Sequence, residues 1–152
     1  MTIIAYHAKD NDIYVDTKQS WDDGLQLYGT KVLKLDNGKG AYSGVFGGDL
    51  MIRMALDKLQ ADPGPNFLLL DESLAKRLEQ CCAFVRTPSG DVYYVEVEAR
   101  AMIIAPAGTV DFAAGSGATM FRMMRLTGAD FFTALRTVIK CVPTCGGHIE
   151  RL

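Results

Sequence analysis

Thr2 follows the initiator Met, and so small a residue at that position permits removal of the Met. Thr2 would then carry a free α-amine beside its own hydroxyl. A threonine hydroxyl is a weak nucleophile until a neighbouring base takes its proton. An α-amino group has a pKa of about 7.7–8.0 and becomes such a base near neutral pH once desolvation lowers that value slightly. One residue thus supplies nucleophile and base for attack on a carbonyl. Asp16 and Lys31 add an electrostatic component. A buried lysine is stable as an ammonium only when a carboxylate pairs with it. An ammonium fixed near the Thr2 oxygen favours the alkoxide and keeps the amine unprotonated.

Two glycine-bearing segments complete the set. Gly44-Val45-Phe46-Gly47-Gly48 lies between a strand and a helix. Glycine there lets a peptide carbonyl approach, and the Gly47 N–H at a helix N-terminus is placed to stabilise an oxyanion. Gly115-Ser116-Gly117 opens a later helix, where Ser116 is positioned to hydrogen-bond the amine. Each residue has a plain structural alternative. Thr2 reads as an ordinary strand residue, Asp16 with Lys31 as a structural ion pair, Gly47-Gly48 as a turn, and Ser116 as an N-cap.

These residues need elements to hold them. Apolar alternation predicts a strand over Thr2–Ala8, a turn at Asn11-Asp12 and a hairpin partner over Ile13–Asp16, which returns Asp16 towards Thr2. Asp22-Asp23-Gly24 reads as a loop, Lys31–Leu35 as a short strand, Asp36–Gly40 as a five-residue turn, and Ala41–Phe46 as the next strand. Asp49–Gln60 reads as a helix with Arg53, Asp57 and Gln60 on its polar face. Asp71–Gln80 reads as a second helix, capped by Asp71. Ala83–Arg86 with Val92–Val97, and Met102–Ala105 with Val110–Ala113, are expected as two further hairpins. Ala118–Leu126 and Asp130–Cys141 are expected as helices, with Thr127 and Asp130 at capping-box spacing. The order is strands, two helices, strands, two helices. Two sheets with helices on both outer faces bury all these apolar surfaces at once.

Composition narrows the function classes. The chain has 152 residues, 49% hydrophobic and 22% charged, so it is expected to be one globular domain over 1–152. Sixteen basic against eighteen acidic residues give a net charge of −2, which excludes a nucleic-acid footprint of the usual kind. The longest apolar stretches, such as Ala101–Ala105, fall far short of the roughly 20 residues of a membrane span, and no signal segment is evident. The four cysteines are therefore expected as reduced, cytoplasmic thiols. Cys141, Cys145 and His148 form Cys-x3-Cys-x2-His, yet a zinc site needs a fourth ligand, so ordinary thiols and no metal are expected. His7 is expected in a structural role, and the Met-rich helices (Met51, Met54, Met120, Met123, Met124) as core or subunit interface. Trp21 is expected to cover a strand edge or to lie at an interface.

Taken in order, the motifs resemble the proteasome β-type subunits, and most of all the bacterial HslV-like N-terminal nucleophile (threonine) peptidases. The resemblance rests on Thr2-Ile3-Ile4-Ala5, Asp16-Thr17-Lys18-Gln19-Ser20, Lys31-Val32, Gly44–Gly48, Pro88-Ser89-Gly90-Asp91-Val92 and Gly115-Ser116-Gly117. It spans residues 2 to about 120 and continues more loosely beyond. It implies a four-layer αββα sandwich of mixed α+β class and a self-compartmentalising ring. The ring would cleave unfolded polypeptide with Thr2, fed by an ATP-dependent unfoldase, with no cofactor. Backbone groups of Ser20 and Gly47 would align the substrate as an added strand, and Val45 and Leu35 would line an apolar specificity pocket.

One segment departs from the family. Its active subunits usually place an Asp and a Ser just before a late Gly-Gly, whereas this chain reads Cys141-Val142-Pro143-Thr144-Cys145-Gly146-Gly147, where no acid is present, Thr144 offers a hydroxyl, and either Thr144 or Cys145 stands in for the family's residues. Two other readings stay open: a non-catalytic proteasome-fold scaffold subunit, and a small-amide hydrolase using the same N-terminal chemistry.

Overall fold

The computed structural model of the protein describes residues 2–20, 26–44 and 47–152. The expectations for Met1, the Asp22–Gly24 loop, Trp21, Val45 and Phe46 lie outside those residues.

The chain begins with β1 (Ile3–His7), β2 (Asp12–Asp16), β3 (Lys18–Ser20), β4 (Gln26–Tyr28), β5 (Val32–Leu35) and β6 (Gly38–Ser43). It continues through α1 (Gly48–Ala61), β7 (Asn66–Leu69), α2 (Glu72–Leu78), β8 (Cys82–Arg86) and β9 (Val92–Glu98). It ends with β10 (Ala101–Pro106), β11 (Phe112–Gly115), α3 (Ala118–Leu126), α4 (Phe131–Cys141) and β12 (Ile149–Arg151).

β1 shows why the layers form. Its side chains alternate between faces, and both faces are apolar. Ile3 and Ala5 pack with Phe121 of α3 and Phe131, Leu135 and Val138 of α4. Ile4 and Tyr6 pack instead with Ala41, Phe84 and Val92 from the strands of a second sheet. That second sheet is covered on its outer side by Met51, Ile52, Ala55 and Leu56 of α1 and Ala75 and Leu78 of α2, which meet Ala83, Val85, Val95 and Met102. The result is the expected αββα sandwich, with three apolar seams between four layers. Arg53, Asp57 and Gln60 stay on the exposed side of α1.

The first sheet runs β11-β1-β2-β12 and the second β5-β6-β8-β9-β10-β7, while β3 and β4 form a two-stranded ribbon. β1 and β2 pair antiparallel with Ile4 opposite Val15, so Asp16 ends its strand beside the start of β1. Asn11 turns the hairpin at φ 52, a left-handed conformation that Asn tolerates.

Several local expectations need correction. The hairpin expected from Met102–Ala105 and Val110–Ala113 does not form: β10 pairs with β9 and β7, whereas β11 crosses to the other sheet and pairs with β1. The intervening Pro and Gly residues look like a hairpin loop, yet the open edge of β1 claims the second strand. The turn before β6 occupies only Asp36-Asn37, and β6 already begins at Gly38. β7 and β12 are additions to the expected set; each is a short edge strand, β7 carrying an apolar run (Phe67-Leu68-Leu69) just after the Pro63-Gly64-Pro65 breaker and β12 a three-residue strand with little apolar signal. Asp130 is the N-cap of α4, accepting from the Thr133 N–H at 2.9 Å, while Thr127 closes α3 by donating to the Met124 carbonyl, so the two do not form a capping box. Asp71 caps α2 as expected, accepting from the Leu74 N–H at 2.8 Å. Among the described residues, no helix is long and apolar enough to cross a membrane.

Candidate active site

The β1–β2 hairpin and the segment leading into β5 bring Thr2, Asp16 and Lys31 together. All three are buried, at 0%, 0% and 1% exposure. An ammonium has three N–H donors and no acceptor. Lys31 Nζ finds three acceptors: the Thr2 hydroxyl oxygen Oγ1, the Lys18 carbonyl oxygen, and Asp16 Oδ1 at 3.0 Å. As an ammonium each of its donors has a target, so the amino group is fixed in orientation.

Asp16 is held equally firmly. Its Oδ1 also accepts from the Ile3 N–H at 3.2 Å, and its Oδ2 from the Gly146 N–H at 2.8 Å. Burial pushes the Asp16 carboxyl above its ordinary value, and the Lys31 ammonium and these N–H groups pull it back. Burial likewise lowers Lys31, and Asp16 opposes that fall. The ammonium is thus available against Thr2 Oγ1, and it gives up its proton more readily than an exposed lysine would.

Ser116 lies in the bend between β11 and α3. Its hydroxyl is 3.4 Å from the Thr2 carbonyl oxygen, to which it donates, and 2.6 Å from Thr144 Oγ1. It is not an N-cap, because Gly117 occupies that position in α3. Gly115, at φ 93, stands where an added Cβ would lie 2.1 Å from the Thr2 carbonyl oxygen, so only glycine lets β11 approach β1 this closely. Gly47 caps α1 at φ 85, the conformation its glycine permits, and accepts from the Met51 N–H at 2.9 Å. Ser20 ends β3, where its backbone is in register with Gln26. Leu35 is not part of the cluster. It lies four residues along from Lys31, at the turn end of β5, packed against the seam under α1.

Cys145, which the sequence leaves as either an ordinary buried thiol or a replacement for the family's late residues, sits in this site. Its Sγ is 3.8 Å from Ser116 Oγ, and burial, reinforced by Asp16, pushes the thiol up and keeps it protonated. Its place directly before Gly146-Gly147 was the available signal. The other members of that run diverge, with Cys141 and His148 exposed. His7 has a structural setting, its ring stacked on Phe131 at 4.4 Å and Nδ1 2.9 Å from the Asp10 carboxylate.

No protein-family model matches the chain, and no curated protein matches it in sequence. Solved structures do match. The eukaryotic HslV from Trypanosoma brucei superposes with a TM-score of 0.71 at 13% identity, over 100% of this chain and 98% of that one. Anbu from Hyphomicrobium sp. strain MC1 gives 0.59 at 8% identity, over 99% and 80%. The Anbu complex from Pseudomonas aeruginosa, a helical assembly, gives 0.56 at 12% identity, over 100% and 80%. The chain has an HslV-like fold. That fold is the proteasome-type N-terminal nucleophile hydrolase sandwich, and the Thr2 cluster lies at the start of its first strand.

Proposed function

We propose that the chain is a threonine-type endopeptidase for unfolded polypeptides, working as a self-compartmentalising assembly once Met1 has been removed. The observation that carries this reading is the buried Lys31 ammonium shared between Thr2 Oγ1 and Asp16.

In this reading Thr2 Oγ1 attacks the scissile carbonyl and its proton passes to the freed α-amine. Lys31 stabilises the developing alkoxide, and Asp16 keeps Lys31 charged and aimed. The Gly47 N–H stabilises the tetrahedral oxyanion. Collapse breaks the C–N bond, and the departing amine takes the proton held by the α-amine. The resulting ester on Thr2 is cleaved by water, with the α-amine again as base. Backbone groups of Ser20 and Gly47 align the substrate as an added strand. An ATP-dependent unfoldase would supply unfolded chains, and the HslV likeness together with the helical Anbu assembly supports self-assembly.

Intact mass and N-terminal sequencing of natively expressed protein test the first requirement, loss of Met1. Labelling with a threonine-directed epoxyketone and cleavage of an unfolded protein test the second, and Thr2→Ala should abolish both. Equal activity in the wild type and Thr2→Ala overturns the reading. A second reading, a non-catalytic scaffold subunit of the same fold, is favoured by the segment before Gly146, where Thr144 and Cys145 stand and no acid is present. An unlabelled Thr2 in protein lacking Met1 would establish it.

A further inference from the structure

We propose that Thr144 is a positioning residue of the Thr2 site, its hydroxyl holding the Ser116 hydroxyl against Thr2. This rests on the peptidase reading above.

The segment 143–148 is strapped to the site from several directions. Lys18 Nζ donates to the Pro143 carbonyl at 2.6 Å, and the Lys18 N–H donates to the Gly146 carbonyl at 3.2 Å. The Gly146 N–H binds Asp16, the His148 N–H donates to Thr17 Oγ1 at 2.9 Å, and the Thr17 N–H returns to the His148 carbonyl at 3.0 Å. A loop tied this closely to β2 and β3 has little freedom at Thr144. Its hydroxyl meets Ser116 Oγ at 2.6 Å, in a hydrogen bond that either oxygen can donate. Ser116 has one hydroxyl proton. If Thr144 donates, that proton is free for the Thr2 carbonyl, and the Ser116 oxygen keeps a lone pair for the amine that removal of Met1 exposes. The bond therefore sets the rotamer of the group that steadies the general base. A neutral hydroxyl does this without adding a second carboxylate beside the Asp16–Lys31 pair. Cys145 Sγ, 3.8 Å from Ser116 Oγ, is a much weaker partner and cannot take over the role.

The test is a double-mutant cycle on the assembled protein, read as the rate of epoxyketone labelling at Thr2 and as kcat and KM for an unfolded substrate. Thr144→Val keeps the shape and removes the hydroxyl, whereas Thr144→Ser keeps the hydroxyl and removes the methyl. Loss of one neutral hydrogen bond corresponds to a change of about fivefold to tenfold. The expected result is that Thr144→Val slows labelling and lowers kcat by that factor with KM unchanged, and that Thr144→Ser restores both. In a Ser116→Ala background the Val substitution should have no further effect, since it acts through Ser116. Full activity in Thr144→Val, or an equal loss with and without Ser116, overturns the proposal and leaves the peptidase reading standing. Absence of labelling in wild-type protein lacking Met1 overturns both.

Discussion

Lys31 Nζ and Asp16 Oδ1 lie 3.0 Å apart with neither side chain in contact with water. Such a pair contributes little net stability, because the desolvation of both charges offsets their attraction, but breaking it is severe. Asp16→Ala leaves a buried ammonium and two backbone N–H groups, those of Ile3 and Gly146, without their acceptor. It should lower unfolding free energy by about 3–5 kcal/mol in urea titrations. The double substitution Asp16→Asn with Lys31→Met removes both charges and keeps an acceptor oxygen. It should be much closer to wild type in stability, yet inactive.

The pH dependence follows from the same pair. Burial sets the Lys31 pKa below its unfolded value of 10.5. Between the two values the unfolded chain binds more protons than the folded one, so this group makes stability rise with pH across that window. The difference in urea midpoint between wild type and Lys31→Met should therefore shift in favour of the wild type as pH climbs towards 10.5. In the proposed peptidase reading activity should move the opposite way, because deprotonation would remove the ammonium that stabilises the Thr2 alkoxide. The alkaline limb of kcat should lie below 10.5 and disappear as a separate feature in Lys31→Met, whose residual rate is low throughout.

The seam between the two sheets makes a separate prediction. Phe84 is fully buried there, with Tyr6, Tyr94 and Phe112 ring centres 5.8, 5.2 and 6.0 Å away. Phe84→Ala opens a cavity at the centre of the sandwich and should lower stability by about 3–5 kcal/mol. For a chain of this length that corresponds to a fall in Tm of about 10 °C. Thermal unfolding followed by circular dichroism measures it directly.

What the sequence shows and what it hides divide along a physical line. β1, β2, α1 and the two C-terminal helices carry their own periodicity, and Thr2, Asp16 and Lys31 follow once the first hairpin is drawn. β11 and β12 do not. Their partners are chosen by the open edges of β1 and β2, and nothing local in Phe112–Gly115 or Ile149–Arg151 records those edges. Cys145 stays an open choice beside Thr144 in the sequence for a similar reason. Its segment reaches Asp16 only through hydrogen bonds spanning about the whole chain, such as that from the Gly146 N–H. Leu35 shows the converse. The family resemblance placed it in a substrate pocket, while the strand carries it to the end away from Lys31.

Gly115 offers a sharp comparison with another glycine. Gly115 and Gly128 have nearly the same positive φ, 93 and 97. A Cβ on Gly128 would meet nothing within 4 Å, whereas one on Gly115 would lie 2.1 Å from the Thr2 carbonyl oxygen and 2.8 Å from Ser43 Oγ. Gly128→Ala therefore reports left-handed strain alone, about 1–3 kcal/mol, and should leave activity intact. Gly115→Ala adds an overlap with backbone that cannot swing aside, so the loss should reach about 3–5 kcal/mol. Relief of that overlap must push β1 and β11 apart at Ile3 and Gly115, which are in register. The displaced atoms belong to Thr2, the nucleophile in the peptidase reading proposed above. Epoxyketone labelling of Gly115→Ala should consequently fall further than its stability loss explains at a temperature where the variant remains folded. Labelling at the wild-type rate in folded Gly115→Ala would show that the spacing between β1 and β11 does not set the position of Thr2.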